Sequence, residues 1–156
     1  MPRRRPGALR AERRGTRTWE ALSSDRIHGL SAPTSLAIHR VEWRSGDYYV
    51  YPGTTARALR RYQEFLAPQG CRPLYPRYAR CSCRGCSFDD VRHARDVLEQ
   101  ILQELPPRPR LELKRRVMFL DAAYLGRTLP DPFAHQRQWR SDLWWRRRLA
   151  DGEEGG

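Results

Sequence analysis

Lysine is nearly missing from this chain: of its 30 basic residues 29 are arginine, and Lys114 stands alone. That bias, with abundant alanine, glycine and proline, is what a GC-rich bacterial genome writes into ordinary protein surfaces, so the arginine count carries no functional message by itself. Long hydrophobic runs are missing too. Nowhere do about 18 apolar residues follow one another, and the first 25 residues contain no uninterrupted apolar stretch of the kind a leader needs. The sequence therefore predicts neither a membrane span nor a signal peptide and points to the cytoplasm. No glycine-rich phosphate loop, nucleophile elbow or HExxH pair occurs, and the four histidines, His28, His39, His93 and His135, are scattered. Catalysis is not expected.

Cysteine is absent outside one stretch of sixteen residues, and this confinement is the most informative feature of the chain. Cys71, Cys81, Cys83 and Cys86 follow a C-x9-C-x-C-x2-C spacing. In a reducing compartment such thiols serve as metal ligands more readily than as disulfides, and Cys81 and Cys83 sit too close in sequence to bridge comfortably. Thiolates are soft donors that suit the closed tetrahedron of Zn²⁺, so the expectation is a structural zinc loop with all four cysteines as ligands. Free or redox-active thiols and an iron–sulfur cluster are the alternatives. The loop contains Pro73, Pro76 and Gly85 and leaves no room for regular structure. An ion closing it would supply on the order of 10 kcal/mol of apparent folding free energy. The CRGC segment from Cys83 to Cys86 resembles a zinc knuckle, in which the glycine frees the backbone to turn under the metal. His93 is a substitute ligand, although its helical position puts it more than a turn from Cys86 and on the surface.

Charge is the second signal. The chain carries a net +12, and residues 1 to 17 hold seven arginines against Glu12, so half the excess lies in one short arm. Residues 1–25 lack apolar periodicity and are punctuated by Pro2, Pro6 and Gly15, which predicts a disordered basic arm suited to neutralising phosphates. Residues 26–150 are expected to form a single zinc-stabilised domain, and residues 151–156 a disordered acidic tail.

The expected fold class of that domain is α+β. Leu36, Ile38, Val41 and Trp43 suggest one strand, Arg44-Ser45-Gly46-Asp47 a turn, and Tyr48 to Tyr51 a second strand, together an N-terminal β-hairpin. A helix capped by Thr54 follows, with Leu59, Tyr62, Phe65 and Leu66 on one face. Beyond the cysteine loop, Ser87 caps a helix whose apolar stripe runs from Val91 to Leu105. A second helix from about Pro109 to Leu125, stopped by Gly126, completes an antiparallel helical hairpin. A short C-terminal helix capped by Ser141 ends the domain. Asp121, inside the second helix of that hairpin, is a candidate buried polar residue.

These readings describe a small non-enzymatic, zinc-stabilised basic protein that binds nucleic acid, DNA included, with little sequence specificity. Its contacts would come from Arg3, Arg4 and Arg5 of the arm, from Arg57, Arg60 and Arg61 on one helix face, and from Trp144, Trp145, Arg146, Arg147 and Arg148 near the C-terminus. The same Trp and Arg residues also suit cation–π packing against the protein's own surface, and this docked-tail reading is preferred for them. One alternative is an adapter that places Trp139, Trp144 and Trp145 in the groove of an acidic protein partner, or receives a strand at the hairpin edge. A zinc- or thiol-dependent enzyme is the other, and it requires an open coordination position.

Overall fold

The segment expected to be a β-hairpin is helical in the computed structural model, which describes residues 26–152. Helix α1, Ala32–Arg44, begins at Ser31, whose hydroxyl accepts the Thr34 N–H at 3.4 Å, with proline in the first turn where its missing N–H is no loss. Its buried face is Thr34, Ser35, Ile38 and Glu42, a helical spacing in which only Ile38 is apolar. The period-two reading failed for that reason: the inward residues are mostly polar, and Trp43, assigned to a strand, faces solvent. Residues 48–51 form an aromatic loop with Val50 buried and Tyr48 exposed. Among the described residues there is no sheet, only isolated bridges between Arg77 and Asp151 and between Pro130 and Arg148. The α+β expectation is corrected to a helical fold, with four α-helices and short 3-10 turns among the described residues.

Carboxylates from distant positions start two of these helices. Glu112 of helix α4, Pro107–Arg127, accepts the Ser31 N–H at 2.6 Å, the Ser31 hydroxyl at 2.7 Å and the Thr34 hydroxyl. The Thr34 bond, with those from Ser31, holds the Glu112 carboxyl below its ordinary pKa. Helix α2, Thr54–Leu66, is served by Glu42 of α1, which accepts the N–H groups of Gly53 and Thr55 at 2.8 Å each. Gly53 itself occupies the cap position at φ 89°, a left-handed conformation that suits glycine. Thr54 is not the cap; its hydroxyl donates to the Tyr49 carbonyl.

Helix α3, Val91–Glu104, starts at Asp90, whose side chain accepts the Arg92 N–H. Ser87 therefore lies one turn too early to cap it and belongs to a 3-10 turn, Cys86–Asp89. The Pro106-Pro107 link turns the chain into α4, which runs straight through Gly126 and ends at Thr128, whose hydroxyl donates to the Tyr124 carbonyl at 2.7 Å. Ser141 starts no α-helix; a 3-10 turn, Trp144–Arg147, follows instead. Helices α2 and α4 both pack on α3, and α1 rests on α4 and α3. Val97, Leu98 and Ile101 of α3 meet Leu113, Val117, Leu120 and Tyr124 of α4, with Tyr62 from α2 and Ile38 from α1 closing the core. Asp121 at its edge accepts the Tyr62 hydroxyl at 2.8 Å and Arg95 Nε at 2.9 Å. The expected arm, residues 1–25, and residues 153–156 of the expected tail lie outside the described residues. Asp151, at the start of that tail, donates its N–H to the Pro76 carbonyl at 2.8 Å.

Replacing Glu42 with alanine removes two charge-assisted bonds and leaves two backbone donors without partners. Urea unfolding of Glu42→Ala is expected to show a loss of about 2–4 kcal/mol; a loss below about 0.5 kcal/mol, the scatter of neutral substitutions, removes Glu42 from this role.

Candidate metal centre

The cysteine loop has no regular structure, so its shape must come from what pins it. Leu74 donates its N–H to the Arg127 carbonyl at the end of α4, at 2.6 Å. Tyr78 lies under the guanidinium of Arg92, 4.3 Å from ring centroid to carbon, and its hydroxyl accepts from Arg137 at 3.2 Å. Beyond it, the Tyr49 hydroxyl donates to the Ser82 carbonyl at 2.7 Å, and Arg84 donates to the Tyr48 carbonyl at 2.6 Å while stacking on Tyr48 and Tyr51. The aromatic segment read from sequence as a strand is in fact a buttress for the loop.

Helix α2 supplies the other wall. Arg57 donates to the Gly85 carbonyl at 3.2 Å and covers the Phe88 ring, and Arg61 donates to the carbonyls of Phe88 and Asp89 at 2.7 and 2.9 Å. Cations at the carbonyl end of the 3-10 turn oppose its dipole favourably. Two of the three arginines expected on a nucleic-acid face thus hold down the turn that carries Cys86, while Arg60 is exposed.

Within this frame the ligand atoms of Cys81, Cys83 and Cys86 all lie within 4.8 Å of one another, a group able to hold a metal ion. Cys81 and Cys83 Sγ are 3.2 Å apart, and the Cys86 N–H donates to Cys83 Sγ at 3.3 Å. That backbone bond, with those from the neighbouring thiols, lowers the Cys83 pKa to about 7, where the thiolate that binds metal is accessible near neutrality. Hydrogen bonding to Cys81 and then to Cys83 pushes Cys86 up to about 12, as expected when one sulfur of a close set ionises first. Cys71 is exposed and is not part of this group. Gly85 sits at φ −74°, which any residue adopts, and a Cβ there would meet Cys83 Sγ at an ordinary 3.9 Å. The knuckle turn therefore does not depend on glycine's conformational freedom.

His93 is half-buried rather than on the surface, edge-on to Tyr49 at 4.6 Å and Phe88 at 5.1 Å, with a buried Nε2 that has no hydrogen-bond partner. It is not in the ligand group. The Trp and Arg residues near the C-terminus are engaged by the protein itself. Trp145 is buried and donates to Asp96 at 2.7 Å, Arg95 stacks on its ring, and Trp144 packs against Tyr124. Arg146 pairs with Asp96 and covers Trp139, and Arg148 donates to the Thr128 hydroxyl at 2.8 Å. Arg147 is half-exposed, and Arg3, Arg4 and Arg5 lie outside the described residues. Sequence reasoning missed Tyr49 and Arg84 as supports of the cysteine loop, because nothing local marks a tyrosine hydroxyl that meets a carbonyl 33 residues away.

Comparison with protein families, with curated proteins and with solved structures finds no match to this chain. Among the described residues no helix is long and apolar enough to cross a membrane.

The environment of His93 sets a pH dependence. Burial lowers its pKa below the ordinary 6.5; Arg146 acts in the same direction, and the carboxylates of Asp96, Asp90 and Asp47 oppose it. The unfolded chain therefore takes up a proton that the folded one resists, so this contribution to stability is full above about pH 6.5 and is lost as pH falls towards the lowered value. Thermal unfolding at stepped pH is expected to show a smaller acid decline for His93→Phe than for the wild type; equal declines assign the effect to other groups.

Proposed function

We propose that this is a small non-catalytic basic protein, clasped by a zinc ion and binding nucleic acid with little sequence selectivity. The observation that carries the reading is the convergence of three thiols in a loop pinned by polar contacts rather than by a core of its own. Thiolates favour a soft ion, and a structural zinc with sulfur donors is the simplest occupant. Cys71 is assigned the fourth position. Four thiolates fill the coordination sphere and leave no place for substrate, hence the non-catalytic reading. The reducing cytoplasm is the compartment that keeps such thiols available.

Charge supports nucleic acid as the ligand. Residues 26–152 hold 23 basic against 13 acidic residues. Many of those acids have internal partners: Glu42 and Glu112 serve helix starts, while Asp90, Asp96 and Asp121 pair with Arg92, Arg146 and Arg95. What remains outside is a positive field, and phosphates are what such a field gathers without reading bases. A second reading, a protein adapter, is favoured by the exposed line of Leu111, Met118 and Leu125 beside Phe119 on α4, which suits an amphipathic partner helix. The adapter cannot use a hairpin edge, since the hairpin does not form.

Native mass spectrometry of protein purified without added metal is expected to find one zinc per chain, lost in Cys83→Ser. Cys71→Ser should weaken zinc retention at least about tenfold, the effect of losing even an outer-shell partner. A metal-free mass together with unfolding indifferent to chelator sinks the clasp. For binding, deleting residues 1–17 should flatten the slope of log affinity against log salt by about 5 on a single-stranded probe, at about 0.7 for each of seven arginines. Unchanged affinity and slope would set the nucleic-acid reading aside.

A further inference from the structure

Helices α1 and α2 each lean on α3 and α4, and side chains of both line a cavity of about 970 Å³. Its floor is apolar, from Leu36, Ala56 and Leu59, and its rim carries Arg44, Arg60 and Trp43. The one acidic residue that lines it, Glu42, is fully occupied as the cap of α2. Its buried charge is outnumbered by the guanidiniums of Arg26, Arg40, Arg44 and Arg60 on the same lining. Among the described residues neither Arg44 nor Arg60 has a hydrogen-bond or ion-pair partner, in contrast to Arg57 and Arg61 on the neighbouring face of α2. Trp43 is 65% exposed, and no ring or cation of the described residues stacks on it.

We infer that this groove is the site where single-stranded nucleic acid is held, a base stacked on Trp43 and the flanking phosphates paired with Arg44 and Arg60. The inference rests on the nucleic-acid reading above and assigns it to a place in the fold. Charge selects the occupant: the guanidiniums of Arg44 and Arg60 attract phosphate. The flat indole and the apolar floor select a ligand that also has an aromatic face. A duplex presents its base faces only to one another, so stacking on Trp43 requires an unpaired strand. A cavity of this volume is within the range that encloses small ligands or a few nucleotides.

The test uses the full chain and a labelled oligouridylate of about ten nucleotides, a length within the site sizes of single-strand binders. Trp43→Ala is expected to weaken binding about tenfold, in line with the loss of one stacked base, while leaving the salt slope unchanged. Arg44→Glu and Arg60→Glu are expected to weaken binding and also flatten the slope. All three positions are exposed, and circular dichroism with thermal unfolding verifies that each variant is folded. Wild-type affinity in Trp43→Ala and Arg60→Glu, with binding still lost on deletion of residues 1–17, overturns the groove and leaves the broader reading standing. Absence of oligouridylate binding by the wild type overturns both. Displacement of the strand by uridine monophosphate at a matching concentration overturns the strand in favour of a free nucleotide.

Discussion

Asp90 and Arg92 form the interaction on which the rest of the molecule depends. Both are buried, and the guanidinium meets the carboxylate through two parallel bonds of 2.8 Å. The same carboxylate accepts the Arg92 backbone N–H and so begins α3. Tyr78, in the stem of the cysteine loop, covers the guanidinium, and Arg146 from the C-terminal segment approaches Asp90 to 3.9 Å. Burial works against the Arg92 charge, and pairing with Asp90 outweighs it. A paired charge inside a protein is no great source of stability in itself, but removing one member leaves the other uncompensated, at a cost of about 3–5 kcal/mol. Helix start, loop stem and tail thus share one electrostatic anchor.

A second polar layer extends this logic. Asp121 gathers Arg95 and the Tyr62 hydroxyl, Arg95 stacks 4.2 Å from the Trp145 ring, and Trp145 donates to Asp96. Satisfied networks of this kind fix one register among helices that hydrophobic contact alone would let slide. They also decide the surface: acids drawn inward to pair with a few arginines leave the other arginines facing water. The basic character outside is the complement of the polar bonding inside.

Helix α2 separates the two proposed sites by its own geometry. Arg57 and Arg61, one turn apart, reach the cysteine loop; Ala58 and Tyr62 face the core; Ala56 and Arg60 line the cavity shared with α1. A 13-residue helix thereby buttresses the thiol cluster on one face and shapes the groove with another. The cluster depends on hydrogen bonds and stacking where the core depends on burial, which is why an ion held there would matter to the loop more than to α3 and α4.

Much of the helical half was legible from residues alone. The apolar stripe from Val91 to Leu105 and the series Leu113, Val117, Leu120, Tyr124 have a period of 3.6 that hydrophobic burial writes directly into sequence, and the close spacing of Cys81, Cys83 and Cys86 brings their sulfurs together by chain proximity. Helix α1 was not legible, because its inward face is Thr34, Ser35 and Glu42, polar residues that read as surface until their partners are known. Those partners, Glu112 for the start of α1 and the N–H groups of Gly53 and Thr55 for Glu42, lie up to 81 residues away. Local periodicity and spacing therefore determined where apolar surface would be buried and where sulfurs would meet. Only the tertiary structure decided which arginines are bound inside and which face water, because a charge finds its partner through space and leaves no mark in its neighbours along the chain.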